Sequence, residues 1–116
     1  MAIAHFALGA TLTVLAVTYL VPSAPYPRVL ALLGGLWAML PDAHWVSPVF
    51  TAELRVFHAS SVADLFFLHR ALDVADPTDS RAFAAVLLGC LLVATALAER
   101  RSYRVLAAVN ADPSGD

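Results

Sequence analysis

The chain contains no lysine and no glutamine, a single isoleucine, asparagine and cysteine, and only 14% charged residues among 116. Each scarcity excludes something. The seven cationic side chains are all arginine, mostly scattered, and the formal net charge is -2. That leaves no basic footprint to neutralise a phosphate backbone, so nucleic acid is excluded as a partner. One cysteine, Cys90, rules out an internal disulfide, and its place inside an apolar run reads as a small packing residue. So few charges cannot keep a fold of this size in water. Hydrophobic residues make up 60% of the chain and the mean hydropathy is +0.76. They come in long blocks and not at the spacing of a surface helix, which suits lipid as solvent. The expected fold class is all-α: an integral membrane helical bundle of three to four helices, forming one domain over residues 1–104.

The first block, residues 2–21, carries one ionisable side chain, His5, over the length that a hydrocarbon core of about 30 Å requires. It lacks the positive leader of a signal peptide. Pro22, Pro25 and Pro27 end it. A second helix is expected over 29–46, with Gly34 and Gly35 permitting close helix approach. It meets a break at Leu40-Pro41-Asp42-Ala43-His44-Trp45, where Trp45 fits an interfacial anchor. A third helix is expected over 51–73, with Thr51 as N-cap and Glu53 in the first turn. It is polar enough to lie at the interface or to bury a polar face against the others. After the turn Asp76-Pro77-Thr78-Asp79-Ser80, capped by Ser80 or Asp79, the last helix covers 81–99. Arg100, Arg101 and Arg104 follow it and place the carboxyl end in the cytoplasm of a multi-pass cell-membrane protein. Residues 105–116 have the composition of a disordered tail. Four spans put the amino end in the cytoplasm; three spans with an interfacial third helix put it outside.

Ionisable residues inside such a chain mark functional positions. If the first two helices are antiparallel, His5 meets Asp42 and His44 at one membrane face, and His58 lies about two turns along the third helix. Three imidazoles and a carboxylate form a ligand set for zinc or another divalent metal. A metal there activates water, and Glu53 is the nearby carboxylate expected to take the proton. Each residue also has a plainer reading: a membrane histidine often hydrogen-bonds between helices, and an acid after proline often caps a turn. On one straight helix His69 lies about 16 Å from His58, too far to share an ion, so His69 and Asp73 are expected to form a local pair.

His5 followed by Gly9, then Gly34-Gly35 leading to Leu40-Pro41-Asp42, then His58 with Ser60 after it, resemble the membrane-bound metal-dependent hydrolase-like family of the YdjM type. The likeness covers roughly residues 1–70 and implies metal positions at His5, Asp42 and His58, with His44 where the family has a second Asp. Phe57 and Ala59 replace the Thr and Ser that flank the family's His, and Glu53 stands where a preceding His is expected. The absence of Lys and the excess of Asp over Glu resemble proteins of salt-loving archaea. The expected function is therefore a membrane-embedded, metal-dependent hydrolase of a phosphoester, ester or lipid-like substrate. The alternative is a non-catalytic membrane subunit whose polar residues hold helices together; a proton or ion pathway is the weakest of the three. The lipid bilayer is the expected partner, and the Gly34-Gly35 face also admits a homo-oligomer.

Overall fold

Ala2–Tyr19 form α1, a largely apolar stretch in which two of the three threonines return their hydroxyls to its own backbone: Thr11 donates to the Ala7 carbonyl and Thr13 to that of Gly9. The proline-rich turn follows, and α2 (Pro27–Met39) begins with proline at its first position, where no N–H is needed. The computed structural model describes residues 1–111, and among these the protein is all-α, without a strand.

The seam between α1 and α2 rests on two rows of residues spaced by four: 5, 9 and 13 on α1 against 34, 38 and 42 on α2 and the turn beyond it. A Cβ at Gly9 would lie 2.5 Å from the Gly34 carbonyl oxygen and 2.6 Å from the Ala38 methyl, and one at Gly34 would collide with Thr13. Two small-residue rows of this kind let backbones touch. The same register, carried one turn further, sets His5 opposite Asp42.

Past Met39 the helix tightens into a 3-10 turn, Leu40–Trp45. Pro41 lacks the N–H that an α-helix would use, which accounts for the change of winding within the helix expected over 29–46. The helix expected over 51–73 is instead three pieces: α3 (Thr51–His58), a 3-10 turn (Ser61–Leu65) and α4 (His69–Ala75). Side chains cause the breaks. The Ser60 hydroxyl donates to the Phe57 carbonyl at 2.6 Å, competing with the helical ladder, and the Asp64 carboxylate accepts the Ala71 N–H at 2.9 Å, which starts a new helix. Thr51 is not an N-cap; its hydroxyl donates to the Ser47 carbonyl, and α3 is entered through Phe50 in a left-handed conformation.

The last helix, α5 (Arg81–Ala111), is capped by Ser80, whose hydroxyl accepts the Phe83 N–H. It runs on past 99 into the first part of the expected tail; residues 112–116 of that tail lie outside the described residues. The amino group of Met1 pairs with Asp79, and the Arg101 guanidinium sits 5.2 Å from the Tyr19 ring centre, so α5 runs parallel to α1.

What is inside and outside is reversed from a water-soluble core. The buried apolar residues are all alanine, and the largest fully buried side chains are His5, His69 and Pro41. Leucine, valine and aromatic side chains face outward along every helix, Cys90 among them exposed and not packed. Among the described residues two helices, α1 and α5, are long and apolar enough to cross a membrane; α2 has 13 residues and α3 and α4 fewer.

A methyl at Gly9 meets backbone, which cannot step aside, so Gly9→Ala should destabilise the fold by about 1–3 kcal/mol. Gly89 has open space around the same atom, and Gly89→Ala should be neutral or slightly stabilising through helix propensity. Denaturant titration in detergent, followed by circular dichroism, compares the two; equal effects would remove the close approach as the basis of the α1–α2 seam.

Candidate metal centre

Five side chains from four elements converge at one end of the α1–α2 seam: His5 of α1, Asp42 of the first 3-10 turn, His58 at the end of α3, and His69 and Asp73 of α4. Asp42 Oδ2 lies 3.3 Å from His5 Nδ1, and its Oδ1 lies 3.3 Å from His58 Nε2 and 3.5 Å from His69 Nε2. Asp73 spans the other side, with Oδ1 3.1 Å from His5 Nε2 and Oδ2 3.3 and 3.7 Å from the Nε2 atoms of His58 and His69. The His5 and His69 rings stack with centres 3.7 Å apart, and the His58 ring stands edge-on to His69.

Backbone carbonyls decide which nitrogen of each imidazole is free. Because a carbonyl only accepts, His69 Nδ1–H donates to the Ala38 oxygen at 2.8 Å, and His5 Nε2–H donates to the His69 oxygen at 3.3 Å, shared with Asp73. The opposite nitrogens, His69 Nε2 and His5 Nδ1, therefore carry lone pairs. These two atoms are also the buried side-chain nitrogens without a hydrogen-bond partner among the described residues. Both face Asp42. An orphaned buried acceptor is costly, about 1–3 kcal/mol, and two of them aimed at one carboxylate are what a cation would satisfy. Fixing the tautomer from the far nitrogen is also how metal-binding histidines are oriented.

Electrostatics point the same way. Burial opposes the charged form of Asp42, yet the neighbouring His5 and His69 imidazoles override it and hold the carboxyl far below the usual carboxylate range. His69 is raised above its ordinary value against its burial, because Asp42 and the Ala38 carbonyl favour a proton on it. Without an ion, such a second proton would sit on Nε2 against Asp42, in the place that a cation would take. Burial pushes His58 below its ordinary value despite the pull of Asp73.

Two buried or half-buried triads are capable of coordinating a divalent metal: His5, Asp42 and His69, and His58, His69 and Asp73, each with its ligand atoms within 4.8 Å of one another. The nitrogen and carboxylate donors fit zinc or a similar first-row ion. Of the residues expected from the sequence, His5, Asp42 and His58 come together here. His44 belongs to neither triad; its Nδ1–H donates to the Pro41 carbonyl, and its ring packs 4.8 Å from that of His58. Glu53 is exposed on α3, with no bond to the cluster. His69 and Asp73, expected to be a separate local pair, are central to it. The 16 Å separation assumed a straight helix, and the break between Ser60 and Leu68 removes it. Their four-residue spacing was the available signal.

The cluster opens on a cleft of about 340 Å³ lined by Asp42, Trp45, His58 and Asp73, with Asp76 and Asp79 at its edge. No family model matches the chain, and no curated protein or solved structure is detectably similar to it.

Asparagine in place of His69 keeps a donor for the Ala38 carbonyl and deletes Nε2. His69→Asn should therefore leave the fold in place and weaken cobalt(II) or zinc binding by more than about tenfold, as should Asp42→Asn. Glu53→Ala should leave affinity unchanged. Calorimetric titration, with the cobalt(II) visible spectrum as a measure of coordination, reads all three; undiminished binding in His69→Asn would show that the ion is held elsewhere.

Proposed function

We propose that this protein is a membrane-embedded, divalent-metal-dependent hydrolase acting on an ester or phosphoester. The observation that carries it is the pair of orphaned lone-pair nitrogens, His5 Nδ1 and His69 Nε2, aimed at an ionised Asp42 beneath an open cleft. His5, Asp42 and His69 are the holding triad, being the more buried. His58 and Asp73 are its cleft-side members, 27% and 32% exposed, and face whatever enters. A divalent ion held by His5, Asp42 and His69 would supply an activated water and polarise the bond under attack. Asp73 is the group positioned to accept the proton of that water: it lines the cleft, and its Oδ1 is held by His5 Nε2–H. This gives it the role that the sequence suggested for Glu53. His58 orients Asp73 and Asp42 through Nε2, and His44 supports the His58 ring from behind.

The membrane setting is part of the same reading. The apolar exterior of α1 and α5 has lipid as its natural partner, with α1 packed between α2 and α5. Arg28 in the first turn and Arg100, Arg101 and Arg104 on α5 then share the cytoplasmic face, by the positive-inside rule. The amino end of α1 and the metal centre lie at the opposite face. The motif positions His5, Asp42 and His58, shared with the YdjM-type hydrolase-like family, support a distant relationship to it, and the arginine-only, aspartate-rich composition supports a salt-loving archaeal source.

One observation favours a different role. His69 ties α4 to α2 through Ala38, and His5 ties α1 to α4 through the His69 carbonyl, so the same imidazoles also cross-link helices. Elemental analysis of the detergent-purified protein separates the two readings. Near-stoichiometric metal is expected, together with hydrolysis of a chromogenic ester or phosphodiester that chelator abolishes and zinc or manganese restores. Asp73→Asn should keep the metal and lose at least about a hundredfold in rate, the scale of a general base. Absence of metal, with a melting midpoint that chelator leaves unmoved, would make the protein a helix-packing subunit.

A further inference from the structure

The stretch between His58 and His69 does not stay level with the metal centre. Its depth is set by Trp37, which lies on α2 five positions before Asp42, about 8 Å nearer the middle of the bundle. The Trp37 indole N–H donates to the Leu65 carbonyl at 3.4 Å, and its ring stacks on Phe66 with centres 4.7 Å apart. Phe66 in turn meets Phe57 edge-on. The chain thus leaves α3, runs along the flank of α2, and returns to deliver His69 beside Ala38.

The outer surface of this excursion is apolar. Leu65 is 75% exposed, and Val62 and Leu68 are exposed beside it; in the connection before α3, Val46 is 85% exposed, with Trp45 and Phe50 alongside. A patch of this kind on irregular backbone marks a contact surface. Four of its backbone carbonyls are satisfied within the protein. The Ser60 carbonyl accepts the Ala63 N–H, that of Ala63 the Phe66 N–H, that of Asp64 the Leu68 N–H, and that of Leu65 the Trp37 indole. Internally satisfied polar groups are the condition for non-helical chain at membrane depth. Exposed Glu53, Arg55 and Arg70 flank the stretch, and such charges belong at the headgroup level, not in the hydrocarbon.

We propose that the connector spanning residues 45–68 is inserted into the interfacial layer of the bilayer, with Trp45, Val46, Phe50, Val62, Leu65 and Leu68 in contact with lipid. The inference rests on the membrane reading of α1 and α5 and adds a partner for a part of the chain that no spanning helix explains. It places the metal cleft among lipid headgroups and not above them in water.

Tryptophan quenching in phosphatidylcholine vesicles tests it, with bromine placed on the acyl chains either near the headgroup or near the bilayer centre, and iodide in the water. Trp37 is kept in every chain, since its N–H holds the Leu65 carbonyl, and Trp45 is read as the difference between the native chain and Trp45→Phe. Leu65→Trp and, for the span, Leu92→Trp are each placed in Trp45→Phe and read against that variant. All three probe positions are exposed, so folding is spared. The expected result is deep bromine quenching Leu92→Trp, while Trp45 and Leu65→Trp lose most of their emission to shallow bromine and little to iodide. Deep quenching of Leu92→Trp with the other two quenched by iodide alone would overturn the inserted connector and leave the spanning helices standing. Iodide quenching of all three would overturn both.

Discussion

The contact of Gly9 with Gly34 and Ala38 is the constraint on which the metal centre depends. It fixes the distance between α1 and α2 at backbone contact and fixes their relative register, because residues four apart on each helix meet in sequence. Thr13 faces Gly34, Gly9 fits between Gly34 and Ala38, and His5 arrives at Asp42 one turn further on. A bulkier seam would separate the helices and carry the imidazole out of reach of the carboxylate. The Ala38 carbonyl is used by this arrangement twice over: its residue packs under Gly9, and its oxygen holds His69 Nδ1–H. Packing and site chemistry therefore share the same residues.

The interior follows from this closeness. Helices that touch through glycine and alanine leave little room for large side chains between them: the Phe6 ring fits where Gly35 has no Cβ, most large apolar side chains face outward, and the largest fully buried side chains are His5, His69 and Pro41. Polar groups buried this way need partners within the protein, since neither lipid nor a dry interior supplies them. The backbone carbonyls of Ala38, Pro41 and His69 satisfy one nitrogen of each buried imidazole. The second nitrogens of His5 and His69 are left for something else, and Asp42 fixes its sign as positive.

The all-α class, the start of the first helix and the meeting of His5 with Asp42 were legible from hydropathy and antiparallel connection, while the helix expected to reach residue 21 ends at Tyr19. His58 was legible from its distance to the same face. His69 and Asp73 were not, because their assignment depended on whether one helix ran from Thr51 to Asp73. Nothing between them has the usual form of a helix breaker: no glycine or proline occurs from Thr51 to Ala75. The break comes from Ser60 and Asp64 bonding to nearby backbone, and from Phe67 and Leu68 in left-handed conformations, which propensity does not foretell. The length of α5 was underestimated for the opposite reason. Its arginine-rich end looked like a stop, yet Ala, Leu and Arg are good helix formers and the winding continues to Ala111.

Two consecutive left-handed residues without glycine cost about 1–2 kcal/mol each. At Phe67 and Leu68 that strain sits directly before His69, and it is the reversal there that turns the chain back toward Ala38. The bonds that hold the reversal are few: Asp64 to Ala71, Trp37 to Leu65 and His69 to Ala38. Against them stand the strain and the two orphaned nitrogens of the cluster, His5 Nδ1 and His69 Nε2. A divalent ion bound there would remove the second of these burdens and leave the first, so its binding energy would act on the folding of residues 58–75 as well as on the site. The α1–α2 seam needs no such help, being held by backbone contact. The candidate metal centre thus divides in how it is placed: His5 and Asp42 by the close α1–α2 seam and the turn that ends it, and His58, His69 and Asp73 by a segment that carries backbone strain.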